Sequence, residues 1–168
     1  MTIVVLMITP LYRSLIDQLC ALASIPNPQS LYEFTAVEFN GVDFTLAYKH
    51  GAGAGDVLLY SDMGSLTLPD PTAAALRLLE INFYLFGGQS SPVFSLNPES
   101  RRINLCVALM LEQLTAGRLL ELLHELADTA NAWRKDFFLG GNDFKAELSH
   151  AAELNALPRN QLHGNPMR

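Results

Sequence analysis

LRLLEINFYLFGG, residues 76–88, has the length and composition of a helix closed by a glycine stop. Its only polar side chains are Arg77, Glu80 and Asn82. A surface helix normally buries one stripe and wets the rest. Here Ala73, Ala74, Ala75, Leu76, Leu78, Leu79, Ile81, Phe83, Tyr84, Leu85 and Phe86 all ask for cover. One sheet face covers only about half of a helix, so the other half needs a second partner. Two arrangements supply one: a helix enclosed within its own monomer, or a two-fold contact with a second copy. The chain has few other helices to enclose this one, which makes the isologous dimer the simpler arrangement; such a contact typically buries about 800 Å² per partner.

Upstream of this segment, Leu68-Pro69-Asp70-Pro71 marks a change of structure. Asp70 can cap the helix and Pro71 can take its first position, giving a helix from about Thr72 to Phe86. Before the prolines, Val42, Phe44, Leu46 and Tyr48 alternate with Asp43, Thr45, Ala47 and Lys49. That period of two is a strand with one buried face. Leu31–Asn40 is a less regular strand broken by Gly41, and Val57–Ser61 is a third; the loop HGAGAGD, residues 50–56, joins the last two. At the start, Thr9-Pro10 reads as an N-cap followed by proline in the first turn. Leu11, Leu15, Leu19 and Leu22 then recur at helical spacing until Pro26 and Pro28 stop the helix by Ile25.

Downstream, Pro92–Leu96 is a short strand, Asn97–Ser100 a turn, and Arg102–Met110 a longer strand with Ile103, Leu105, Val107 and Leu109 on one face. A third helix from about Thr115 to Phe138 carries the stripe Leu119, Leu122, Leu123, Leu126, Ala130, Trp133 and Phe137. The order α-β-β-β-α-β-β-α has no βαβ rhythm. It indicates an α+β domain with three helices on a twisted antiparallel sheet, homodimeric through the second helix. The domain spans residues 9–138. Residues 1–8 form an apolar N-terminal extension, with Met7 as an alternative start. Residues 139–168 form a polar, mobile tail in which Asp143–Ala156 has weak helical character.

Composition excludes several functions. A net charge of -6 argues against a nucleic-acid binder, which needs a basic face. Hydrophobic residues make up 49% of the chain, enough for a core, but no apolar run approaches the length of about 18 residues that spans a bilayer, so no membrane insertion is expected. The run IVVLMI, residues 3–8, lacks the basic start and small-residue cleavage site of a signal peptide. Cys20 and Cys106 lie in apolar segments outside any Cys-x-x-Cys pair and read as buried thiols.

Chemical motifs are weak throughout. In His124-Glu125-Leu126-Ala127-Asp128, Asp128 stands where a zinc-protease helix needs its second histidine. A small hydrolase using His124 and Glu125 is therefore a distant rival to a solvated helix flank. Gly51, Gly53 and Gly55 lack a following Gly-Lys-Ser/Thr and lie between strands, as a hairpin loop rather than a phosphate cradle. No G-x-S-x-G elbow occurs. The expectation is a protein with no catalytic residues, no metal and no cofactor, hence not an enzyme.

From Leu11 to Phe138 the chain resembles the class I type III secretion chaperones, the Tir-chaperone (CesT-like) group. The resemblance is carried by the element order in a small acidic protein and by a Leu-Leu-x-x-Asn helix, here Leu78, Leu79 and Asn82. It is carried also by the hairpin VFSLNPESRRINLCVALML and by a last helix ending in Ala130 to Trp133. It implies a homodimeric bacterial cytoplasmic chaperone without ATPase activity, which keeps the N-terminal segment of an effector extended for export. The secretion ATPase is a further partner that it suggests. On this resemblance the second helix and following strand form the dimer contact, through Leu78, Leu79, Ile81, Asn82, Phe83, Leu85, Phe86 and Phe94. Client contacts fall on Leu15, Leu19 and Leu22 of the first helix and on Phe34, Phe44, Leu46 and Tyr48 of the sheet, with an extended client strand adding to a sheet edge. The alternative from a different class is a regulatory or small-ligand-binding α+β domain of the same topology with no export client.

Overall fold

The computed structural model describes residues 9–33, 35–87 and 91–140. In chain order these form α1 (Pro10–Ala23), β1 (Thr35–Phe39), β2 (Val42–Lys49), β3 (Asp56–Ser65), α2 (Thr72–Leu85), β4 (Val93–Leu96), β5 (Arg102–Met110) and α3 (Ala116–Asp136). Short 3-10 turns lie at Pro28–Leu31 and Leu111–Gln113. The strands make one antiparallel sheet in the order β1-β2-β3-β5-β4. This is the expected α+β order. The apolar extension at residues 1–8, Gly88 and the tail from residue 141 onward, with its expected helix, lie outside the described residues.

Helix ends follow local chemistry. The Thr9 hydroxyl accepts the Tyr12 N–H at 3.3 Å, and Ser24 closes α1 in the left-handed conformation. The Thr115 hydroxyl accepts the Arg118 N–H at 3.2 Å to begin α3, which Phe137 closes the same way. Both helices bury their leucine stripes against one another and against the inner sheet face. Ile16, Leu19, Phe44, Leu46, Leu59, Leu119, Leu123 and Trp133 are almost wholly enclosed there.

Three local expectations need correction. The first strand begins only at Thr35, because Pro28 starts a 3-10 turn and the Leu31 carbonyl accepts the Thr35 hydroxyl at 2.6 Å. The third strand extends four residues past Ser61. Asp62 and Gly64 have the composition of a strand breaker but form a bulge: the pairing steps from Asp62↔Asn104 to Gly64↔Ile103. Gly64 sits at φ +114, where a side chain would be strained, and its N–H donates to the Asp62 carboxylate at 2.8 Å. Lastly, α2 does not close on a left-handed glycine. Phe86 leaves the helix in extended conformation, and the Gly87 N–H donates to the Ser91 hydroxyl at 2.8 Å.

The bulge is tied to α3 by one side chain. The Arg134 guanidinium donates from Nε to the Met63 carbonyl at 2.9 Å, from Nη1 to Gly41 at 2.9 Å and from Nη2 to Asp62 at 2.8 Å. It fixes the β1–β2 turn and the β3 bulge to the same helix end. Glutamine is too short to reach all three acceptors, so Arg134→Gln should lower stability by about 1–2 kcal/mol in urea denaturation, with an unchanged m-value. A variant as stable as the parent would show that the three carbonyls are equally well served by water.

Candidate functional site

The N-cap of α2 is Pro71 rather than Asp70, and the helix begins at Thr72, whose N–H donates to the Asp70 carboxylate at 2.9 Å. From there Ala74, Leu78, Ile81 and Leu85 recur at helical spacing and are buried. They pack into the molecule's own core, with α2 lying along β4. The opposite side of the helix is exposed. It carries Leu76, Leu79, Phe83 and Tyr84, with Phe86 just beyond the last turn. Phe83 is 77% and Phe86 81% exposed, whereas Ile81 is fully enclosed. The rings of Phe83 and Tyr84 meet edge to face at 5.5 Å, and Arg77 and Glu80 form an ion pair at 3.0 Å on the same helix.

Among the residues expected at a dimer contact, Leu79, Phe83 and Phe86 therefore point outward and Asn82 is half-buried. Leu78, Ile81, Leu85 and Phe94 are corrected to core residues: the period of 3.6 turns the three helical residues to the sheet side, and Phe94 points inward from β4, so their own monomer covers them. Val93 and Leu96 of β4 are also exposed beside α2 and were not anticipated. Both belong to the short apolar strand, but its alternation does not say which edge lies outermost.

Asn82 has a specific task. Its carboxamide nitrogen donates to the Phe94 carbonyl at 3.0 Å, and its carboxamide oxygen accepts the Phe94 N–H at 2.8 Å. A side-chain amide here does what a neighbouring strand would do. β4 is the last strand of the sheet, so Asn82 occupies backbone groups that would otherwise invite another chain. Asn82→Asp keeps an acceptor for the N–H but sets a carboxylate against the carbonyl. It should cost about 1–3 kcal/mol by chemical denaturation, and an unaffected midpoint would mean that this clamp contributes nothing to the fold.

The opposite edge is different. Among the described residues no strand pairs with the outer side of β1. Ala36 and Glu38 are exposed there, and Val37 and Phe39 are half-buried. The Phe39 ring rests edge-on against Phe44 at 6.3 Å and His124 at 5.6 Å.

The expected client residues separate in the same way. Leu15, Leu19, Phe44 and Leu46 are buried and are corrected to core: both helix stripe and strand alternation point them at each other across the α1–sheet interface. Leu22 is exposed at the end of α1. Tyr48 is half-buried, its hydroxyl donating to the Ala54 carbonyl at 3.1 Å and its ring 5.6 Å from that of Tyr12. Phe34 lies outside the described residues.

His124 packs its ring on Phe39, and Glu125 faces Arg118 at 3.4 Å. Burial pushes both thiols upward, with Asp17 adding to the effect at Cys20 and a contact to Ser95 opposing it at Cys106. Neither is activated as a thiolate. In the glycine loop the Ala54 N–H donates to the Glu112 carboxylate at 2.9 Å, an acid where a phosphate cradle would need a cation. Among the described residues no group of three or more His, Cys, Asp or Glu side chains is placed to hold a metal. No described helix is long and apolar enough to cross a membrane.

Among the described residues, the α+β domain thus presents one apolar helix face, one sheet edge capped at Phe94 by Asn82 and one sheet edge with no paired strand. Residues 51–134, half of the chain, match the model of the Tir chaperone protein (CesT) family. The chain belongs to this chaperone family. No curated protein sequence matches it. Among solved structures, it is similar in fold to a chain of the crystal structure of the ExsC–ExsE complex, with 18% identity and a TM-score of 0.62 over 77% of this chain and 95% of that one. A chain of the HopA1–SchA chaperone–effector complex gives 15% identity and a TM-score of 0.56, covering 74% of this chain and 94% of the other. One from the ExoT–SpcS complex of Pseudomonas aeruginosa gives 23% identity and a TM-score of 0.50, covering 72% and 97%. At these identities the likeness is one of fold.

Proposed function

We propose that this protein is a type III secretion chaperone of the bacterial cytoplasm, which acts as a homodimer and holds the N-terminal segment of an effector extended and ready for export. It does so by binding alone, without turnover of ATP. Residues 9–138 form the working domain. The observation that carries the reading is the pair of unlike sheet edges: Asn82 caps the β4 edge at Phe94, while no described strand pairs with the outer side of β1. An extended segment can add to an open edge through main-chain hydrogen bonds while alternate side chains turn to apolar surface. Val37 and Phe39 supply such surface beside β1, with Leu22 and Tyr48 as further exposed or half-exposed contacts. The family membership supports the same reading, as do the chaperone–effector complexes among structures of similar fold.

The dimer is proposed through the outward face of α2. Leu76, Leu79, Phe83, Tyr84 and Phe86 form an apolar row of the kind that marks a protein interface. A second copy offers the same row, and a two-fold axis brings the two together. Phe83→Asp should leave the circular-dichroism spectrum intact and halve the mass measured by light scattering. Ile81→Asp should instead unfold the chain, because a charge buried in the core without a partner costs several kcal/mol. A Phe83→Asp protein that stays dimeric would assign the contact to another surface.

The function itself is tested by capture from lysate of the source bacterium, followed by limited proteolysis. The expected result is one or a few large proteins protected over an N-terminal segment of about 50–100 residues, as a wrapped disordered chain would be. Capture of no such segment from cells that make secretion substrates would defeat the reading.

A further inference from the structure

We infer that the open β1 edge selects a client strand bearing lysine or arginine beside Glu38, with apolar residues at the alternate positions that face Val37 and Phe39. The inference rests on the client-strand reading above and adds its chemistry. In the β1–β2 ladder, Glu38 stands directly opposite Asp43. Both are exposed on the face of the sheet that α1 and α3 leave uncovered. Like charges directly opposite one another in a sheet are destabilising. Among the described residues neither carboxylate has an ion-pair partner.

The next strand inward shows the contrast. Phe44 pairs with Ser61, so Asp62 follows Asp43 along the same exposed row. Asp62 is neutralised by Arg102 at 2.6 Å. The row thus has a cation at its β5 end and two uncompensated carboxylates at its β1 end, beside the edge that no described strand occupies.

A strand added to β1 continues the register. Its residues beside Ala36 and Glu38 project to the exposed face, and those beside Val37 and Phe39 project to the helix side. A basic side chain beside Glu38 lies one strand spacing from that carboxylate, about 5 Å, and about 10 Å from Asp43, within reach of a long side chain. It removes the repulsion that the free protein carries. An acidic residue at the same position makes a third like charge in the row. The pair therefore attracts one class of strand and rejects another.

The test uses fluorescein-labelled peptides of about twelve residues, identical alternating valine–serine strands except for Lys, Gln or Glu at two central outward positions. Their binding to the full chain is followed by anisotropy. The lysine peptide should bind about tenfold more tightly than the glutamate peptide at low salt, and the gap should shrink when exposed charges are screened. Glu38→Gln combined with Asp43→Asn should erase the discrimination. The same double variant, without peptide, should melt a few degrees higher than the parent, because it no longer opposes two carboxylates. Equal binding of all three peptides overturns the charge rule while leaving the edge as a client site. So does discrimination that survives in the double variant, or a double variant that melts lower. Binding of none of the three overturns the assignment of the edge, and the charge rule falls with it.

Discussion

The contact between the Asn82 carboxamide and the Phe94 peptide organises the molecule's working surfaces. By serving both the N–H and the carbonyl of one residue, it locks α2 alongside β4 at a single rotation and height. That rotation turns Ala74, Leu78, Ile81 and Leu85 into the core and leaves Leu76, Leu79, Phe83 and Tyr84 facing out. The same two hydrogen bonds occupy the outward backbone groups of Phe94 in the last strand. One polar side chain in a greasy helix thus helps to set where the apolar face points and occupies the outward backbone groups of one residue at the β4 edge.

The opposite side of the molecule is held in a comparable way. Arg134 reaches three carbonyls from two turns of backbone that are distant in sequence, joining the end of α3 to the β1–β2 turn and the β3 bulge. Among the described residues β1 is paired on one side only, and it is held by that turn and by the Thr35 hydroxyl, which meets both the Leu31 carbonyl and Tyr12. The open edge is therefore a set row of backbone groups rather than a fraying strand. Strand addition to a row already in place costs less ordering than addition to a loose one.

Much of this architecture was legible in the sequence because it is periodic. The clean alternation of β2, the leucine stripes of α1 and α3 and the Thr9 cap report elements directly. Periodicity identifies a face but not what covers it, which is why Leu15, Leu19, Phe44 and Leu46 looked eligible for a client and proved to be core. Inside α2 the apolar residues run all round, so spacing alone could not separate Ile81 from Phe83; the position of β4 and the Asn82 clamp do. Asp62 and Gly64 misled for another reason. A bulge uses the residue types that ordinarily end a strand, and only the partner strand shows that pairing resumes at Ile103. The opposed charges of Glu38 and Asp43 were in plain view but carried no meaning until the register placed them face to face.

Unlike edges also govern how such a protein behaves when crowded against itself. Sheets with two open edges can join head to tail, each copy offering the next a fresh template, and that kind of association has no natural end. Here one edge is interrupted from within, where Asn82 takes the backbone groups of Phe94. Copies meeting through β1 could join only edge to like edge, which closes after a single step. Opposed rows of carboxylates discourage even that step. On the proposed function, a molecule that receives extended, adhesive chains is thereby kept from becoming a seed for fibres of its own.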